Sequence, residues 1–78
     1  MKKYLYLLTL CHKEVDDLHL FYAIDEQEAQ QIAEYLQKNE ERRVGEALQR
    51  IAFRTCPHGF TTGMRTYYPP TQEASAHD

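Results

Sequence analysis

A chain of 78 residues is long enough for one domain and too short for two, and it lies near the lower limit for a self-sufficient core. Its 42% hydrophobic content favours a folded chain, while 27% charged residues and a net charge of -3 favour solubility and argue against a basic nucleic-acid-binding domain. Two cysteines exclude a disulfide-dense scaffold and indicate a reducing compartment, so we expect a cytoplasmic protein.

The first residues raise the question of an export leader, because Lys2 and Lys3 precede an apolar run that ends at Cys11. The run from Tyr4 to Leu10 is short for a leader, and Leu10 is not the small residue that cleavage requires. No stretch approaches the roughly 18 apolar residues of a membrane span. We therefore expect neither export nor membrane association.

Residues 4–11 are rich in aromatic and aliphatic side chains, which predicts a first strand. Both alternate faces of this strand are apolar, so we expect it to lie inside a sheet that is covered on both sides. A polar turn is expected at 13–17. Residues 18–24 predict a second strand that runs antiparallel to the first through this short connection.

Asp25 and Glu28 form an acidic version of the capping box, which predicts that a helix begins here. A buried stripe follows at helical spacing, formed by Ala29, Ile32, Ala33 and Leu36. We expect the helix to end near Asn39. Residues 40–48 fit both a short second helix and a loop, because Gly45 weakens an otherwise helical pattern by about 1 kcal/mol.

Residues 49–56 predict a third strand, which the turn residues at 57–59 end. A short edge strand is an optional addition at 64–68, and the two prolines at 69–70 end it because proline lacks a backbone N–H.

The predicted fold class is therefore α+β. We expect a small, mostly antiparallel sheet in the order β-β-α-β, with an optional short helix and edge strand, covered on one face by one helix. Residues 1–70 form the single domain, and residues 71–78 are expected to be a disordered polar tail.

A single helix covers only one face of such a sheet, so the other face should expose one apolar row of the first strand. Uncovered apolar surface usually marks an interface. We therefore predict self-association through the sheet, with Tyr4, Tyr6 and Leu8 as the candidate contact residues, and a homo-oligomer as the result.

Cysteine and histidine residues recur along the chain, at Cys11, His12, His19, Cys56 and His58. Their spacing is poor for a zinc site, and the predicted topology separates Cys11 from Cys56 by a strand length of about 20 Å. Cys56 and His58 remain weak metal or thiol candidates, but residues 47–72 contain no acid to orient the histidine. We expect no catalysis and no cofactor.

Three arginines and an aromatic residue are the candidate binding residues of the C-terminal half: Arg50, Arg54, Arg65 and Tyr67. Regular alternation in the third strand places Arg50 and Arg54 on one face, where they would hold phosphates while an aromatic ring stacks on a base. The segment 14–46 is strongly acidic instead, which favours electrostatic steering toward a basic partner.

The function we predict is a small, non-enzymatic protein-protein interaction domain of regulatory type, which binds another protein and associates with itself. The alternative is a nucleic-acid-binding module that uses the basic, aromatic C-terminal half. A zinc-stabilised or thiol-responsive domain is the third hypothesis.

Overall fold

The computed structural model describes residues 2–70, and these form one long helix and five strands. The elements in chain order are β1 (Tyr4–His12), β2 (Val15–Ala23), α1 (Glu26–Val44), β3 (Gln49–Thr55), β4 (Phe60–Thr61) and β5 (Thr66–Tyr67). The predicted tail, 71–78, lies outside the described residues.

The main sheet has the strand order β2-β1-β3, and both outer strands run antiparallel to β1. The helix α1 packs on one face of this sheet, so the predicted α+β class with a single covering helix is confirmed. Among residues 2–70, no helix has the length and apolar character that crossing a membrane requires.

The central strand β1 is mainly apolar on both sides, and each side contributes residues to the core. Its even-numbered residues face the helix, where Leu8 and Leu10 pack with Ala33 and Leu48. Its odd-numbered residues face the other way, where Leu5 and Leu7 pack with Cys56.

The second strand begins earlier than the sequence predicts. The β1–β2 connection is only Lys13 and Glu14, and Lys13 has a φ of 60°, in the left-handed region that tight turns require. Residues Val15 to Asp17, expected in the turn, are already paired with β1. The polar residues of this segment therefore belong to an edge strand.

The predicted start of α1 at the Asp25 cap is confirmed, and the reciprocal bond of Glu28 goes to the residue before the cap. The Asp25 carboxylate accepts a hydrogen bond from the Glu28 N–H at 2.8 Å, and the Glu28 carboxylate accepts from the Ile24 N–H at 2.9 Å. The expected helix end at Asn39 is wrong, because α1 continues without a break to Val44. Gly45 then ends it with a φ of 79° and donates its N–H to the Glu41 carbonyl at 2.8 Å.

The predicted edge strand at 64–68 needs correction. Only Thr66 and Tyr67 are strand residues, and they pair with Phe60 and Thr61 in a separate two-stranded ribbon. The ribbon folds back across the sheet face opposite the helix, where Phe60 and Tyr67 pack against Leu5 and Leu7. It acts as a partial second layer instead of widening the sheet.

A β-bulge interrupts the pairing of β3 with β1. Thr9 pairs with Ala52 while the next residue, Leu10, pairs with Arg50, so Ile51 is the extra residue. Because paired residues share a face of the sheet, Arg50 lies on the helix side and Ala52 lies on the opposite side. In a regular strand Arg50 and Ala52 would lie on the same face of the sheet. The bulge places them on opposite faces.

Candidate functional site

The candidate contact residues of β1 do not form an exposed surface. Tyr6 is 5% exposed and Leu8 is fully buried, and both lie beneath α1. The Tyr6 ring stacks between Phe21 and Phe53, with centroid distances of 5.8 and 6.0 Å. Tyr6 and Leu8 are therefore core residues and not contact residues as predicted. The helix α1 covers the row that contains them, and the row of Leu5 and Leu7 lies on the opposite face of the sheet.

Tyr4 differs from Tyr6 and Leu8 because it lies at the start of the strand and is 43% exposed. Its ring lies 5.5 Å from the Lys2 ammonium, in a cation–π arrangement. Tyr4 is therefore accessible, at the end of the sheet where β1 begins.

The face opposite the helix is covered at one end only. There the β4–β5 ribbon packs Phe60 and Tyr67 over Leu5 and Leu7, and the Tyr22 hydroxyl donates to the Tyr68 carbonyl at 3.1 Å. This hydrogen bond ties the segment after the ribbon to the edge strand β2. The ribbon thus buries the end of the face where β1 begins.

The other end of this face is open to solvent. Leu18 and Ala52 flank Thr9 in one row across the three strands, and Leu18 is 48% exposed. Ile51, the bulge residue next to Ala52, has no partner on β1; it is also 48% exposed and belongs to none of the core clusters among residues 2–70. We call Leu18, Ile51 and Ala52 the open-face patch.

Both edges of the sheet carry features that discourage strand addition. On the outer strand β2, Asp16 and Asp17 place carboxylates beside the free edge. On the other outer strand, the bulge at Ile51 interrupts the regular spacing of backbone groups that a new strand would need. Charges and bulges are common protections of free edges. Both edges of the sheet are therefore protected against the addition of a strand.

The three arginines do not form one group. The guanidinium of Arg50 donates to the Gln37 side-chain oxygen at 2.9 and 3.3 Å and to Gln30 at 3.4 Å. Arg54 is paired with Leu7 on the opposite face of the sheet. The prediction that Arg50 and Arg54 share a face is wrong because the bulge lies between them.

Arg65 lies in the turn of the ribbon, with its guanidinium 5.7 Å from the centroid of the Tyr67 ring. Tyr67 itself is half-buried and packs against the Leu5–Leu7 cluster. Neither residue contacts Arg50 through any hydrogen bond found among residues 2–70. The phosphate-binding row that the nucleic-acid hypothesis required is therefore not assembled.

The two cysteines lie at opposite ends of β1, as the sequence predicts. Cys11 pairs with Gln49 at one end, whereas the Cys56 N–H donates to the Leu5 carbonyl at the other end at 2.8 Å. Both thiols are free. In the described chain, no three side chains of His, Cys, Asp or Glu are grouped closely enough to hold a metal ion.

Cys56 and His58 have different surroundings although they are close in sequence. Cys56 is 2% exposed, and burial raises the pKa of its thiol, with the Arg54 guanidinium acting in the opposite direction. His58 is exposed. The buried thiol is mainly protonated near neutral pH, which disfavours its use as a nucleophile.

Several acidic side chains of 14–46 have local structural partners. Arg43 donates to Glu40 at 2.7 Å and lies 4.0 Å from Asp17, and the hydrogen bond from Arg43 lowers the pKa of Glu40. His12 contacts Glu46. These contacts tie the end of α1 to β1 and β2.

A cavity of about 370 Å³ lies at the end of the sheet where β1 begins. Its lining residues come from both ends of the chain and from the segment after β3; they are Lys2, Lys3, Tyr4, Leu5, Thr55, Cys56, Pro57 and Pro69. We call this cavity the basic cleft, because its charged lining residues are both lysines.

The basic cleft is absent from the sequence-based predictions. Lys2 and Lys3 are a visible signal, but their position before an apolar run points to an export leader and not to a cleft. Nothing in the local pattern indicates that Pro69 returns to the start of β1, because that contact depends on the path of the ribbon.

No family model, no curated protein and no solved structure matches this chain.

Proposed function

We propose that this chain is a non-catalytic protein-binding domain that associates with a second copy of itself through the open-face patch. The observation that supports this proposal is the incomplete cover of the second sheet face. The ribbon ends before the row of Leu18 and Ala52, which leaves half-exposed aliphatic side chains beside a buried central strand. Apolar surface of this kind commonly marks an interface.

A twofold pair of open-face patches would remove Leu18 and Ile51 of both copies from water. Complete burial of such a side chain is worth roughly 1.5–3 kcal/mol, so the half that is still exposed is worth about 1 kcal/mol. The four side chains together supply about 4 kcal/mol before the entropy of association is subtracted. A millimolar dissociation constant already corresponds to about 4.1 kcal/mol of net free energy, so we expect a very weak dimer, with a dissociation constant on the order of a millimolar.

The symmetric arrangement suits this patch because a twofold interface uses one surface twice and closes upon itself. The carboxylates on the β2 edge and the bulge on the β3 edge disfavour addition of a strand, so they favour face-to-face packing over extension of the sheet. A dimer formed this way leaves the helix of each copy exposed. The acidic side chains of α1 would then steer the pair toward a basic protein partner.

We propose a cytoplasmic location on the basis of the cysteines. Cys11 and Cys56 are free thiols at opposite ends of a strand, so a bridge between them would require the sheet to come apart. A reducing compartment matches such a pair.

The test is sedimentation equilibrium of the complete chain over a wide range of protein concentration. We expect a reversible monomer–dimer equilibrium for the native sequence. Leu18→Lys should weaken dimerisation by about tenfold or more, because it places a cation at the centre of the apolar contact. Tyr35→Lys is the matched control, because Tyr35 is 66% exposed on α1, away from the open-face patch.

Two results contradict the proposal. One is a native chain that stays monomeric at millimolar concentration. The other is an association that Tyr35→Lys disrupts while Leu18→Lys leaves it unchanged, which would place the interface on the helix. Thermal unfolding of both variants as monomers checks that neither lysine acts by destabilising the fold.

A further inference from the structure

The basic cleft collects positive charge that has no anionic partner in the described chain. Lys2 and Lys3 line it, and Arg54 reaches its wall by donating to the Thr55 carbonyl at 3.4 Å and lying 3.7 Å from the Cys56 sulfur. Among residues 2–70, no carboxylate forms a salt bridge with any of these three cations. Arg43, by contrast, is paired with Glu40.

The walls of the basic cleft are mainly apolar. Leu5, Pro57 and Pro69 supply aliphatic surface, and no acidic residue is among the lining residues that the described part of the chain provides. The Cys56 thiol has an ordinary pKa of 9.0 that burial raises further, so near pH 7 it adds no negative charge to oppose an incoming anion. The cleft thus combines apolar walls with cations that form no salt bridge within residues 2–70.

The size of the cleft suits a small molecule. A volume of about 370 Å³ lies within the range of about 300–1,000 Å³ that is typical of ligand sites. Typical sites also combine apolar walls with a few polar groups that fix the orientation of the ligand. Lysine and arginine at the wall would fix an anionic head group in this way.

We propose that the basic cleft binds a small amphiphilic carboxylate. Lys2, Lys3 and Arg54 hold the carboxylate head, and the hydrocarbon part lies against Leu5, Pro57 and Pro69. This site is separate from the open-face patch, which lies at the other end of the same sheet face, and its failure or success leaves the self-association proposal unaffected.

The test uses three probes that share an eight-carbon chain and differ in the head group: octanoate, octanol and octylammonium. Each is titrated into isotopically labelled protein, and the backbone amide signals are followed by NMR. We expect octanoate to shift the amides of Leu5, Thr55 and Cys56, with the signals of Cys11 and Leu18 unchanged. Octanol should bind about three- to tenfold more weakly because it lacks the charge, and octylammonium more weakly still.

A charge-removing variant separates the cleft from a general affinity for fatty chains. The double variant Lys2→Gln with Lys3→Gln should weaken octanoate binding by about three- to tenfold and leave octanol binding unchanged. Lys13→Asn is the matched control, because Lys13 lies in the turn at the opposite end of β1 and asparagine tolerates its positive φ. This control should bind octanoate like the native chain.

Three outcomes overturn the proposal. If octylammonium binds as tightly as octanoate, the cations of the cleft do not select the head group. Amide shifts centred on Leu18 or Ile51 would move the site to the open-face patch. Equal octanoate affinity of the double variant and the native chain would show that the lysines do not hold the carboxylate.

Discussion

The substitutions Leu8→Ala and Leu18→Ala make the same truncation at two positions of opposite burial. Leu8 is fully buried beneath α1, whereas Leu18 is 48% exposed on the other side of the sheet. Leu8→Ala should lower the free energy of unfolding by about 2–5 kcal/mol, because it leaves a cavity that the packed helix cannot fill. Leu18→Ala should cost about 1 kcal/mol, because much of that side chain is already in water.

The difference is large compared with the total stability expected of the chain. A domain of 78 residues has a free energy of unfolding of about 4–12 kcal/mol. Leu8→Ala should therefore lower the melting temperature by at least about 8 °C, and Leu18→Ala by about 4–8 °C. If Leu8 were instead an exposed contact residue for self-association, Leu8→Ala would lower the stability of the monomer only slightly.

The measurement is urea unfolding followed by far-ultraviolet circular dichroism, at one low protein concentration for all chains. Low concentration matters because self-association would add a concentration-dependent contribution to the stability of the native chain and of Leu8→Ala. Equal costs for the two substitutions, or an unchanged midpoint for Leu8→Ala, would refute the assignment of Leu8 to the core. Similar denaturant slopes are needed for the comparison to be valid.

Three further predictions test local features of the fold. Gly59→Ala should lower the free energy of unfolding more than Gly45→Ala in the same urea assay. Both glycines have a positive φ, which costs about 1 kcal/mol for alanine at either position, but only at Gly59 would the new Cβ lie 2.6 Å from a backbone oxygen. Equal losses for the two variants would contradict the close packing of the ribbon. Asp25→Ala should lower the free energy of unfolding by about 1 kcal/mol through loss of the N-cap, and Asp25→Asn should restore most of it; a full loss in the asparagine variant would point to charge instead. Burial raises the pKa of Cys56 above its ordinary value of 9.0, so the contribution of the neutral thiol to stability is complete below that pH and is lost as the pH rises above it. The stability difference between the native chain and Cys56→Ala should therefore be constant below about pH 9 and shrink at higher pH, and a difference that stays constant there would contradict a buried thiol.

The local pattern of the sequence determined the elements whose signals lie within a few residues. Asp25 and Glu28 defined the start of the helix, because capping hydrogen bonds join residues three or four positions apart. The two apolar faces of β1 identified the central strand, because a strand covered on both sides leaves no face for polar residues. The separation of Cys11 from Cys56 also followed, since antiparallel order fixes the ends at which they lie.

The helix end at Val44 and the bulge at Ile51 depended on contacts made elsewhere in the chain. The Glu41 carboxylate accepts the Leu48 N–H at 2.9 Å, and Val44 packs on the Leu8–Leu10 cluster, so the last turns of α1 are stabilised by the sheet. The bulge adjusts β3 to β1, and no residue type in β3 requires it. It nevertheless decides on which face Arg50 and Arg54 lie.

Only the tertiary structure decided which surfaces are free. The sequence required one row of β1 to face away from the helix, but both rows are apolar, so periodicity could not choose between Tyr6–Leu8 and Leu5–Leu7. The choice came from the packing of α1 against the even-numbered residues and from the ribbon folding over part of the odd-numbered ones. The open-face patch and the basic cleft are both products of that ribbon, because its short reach leaves Leu18 exposed while its return brings Pro69 beside the start of β1.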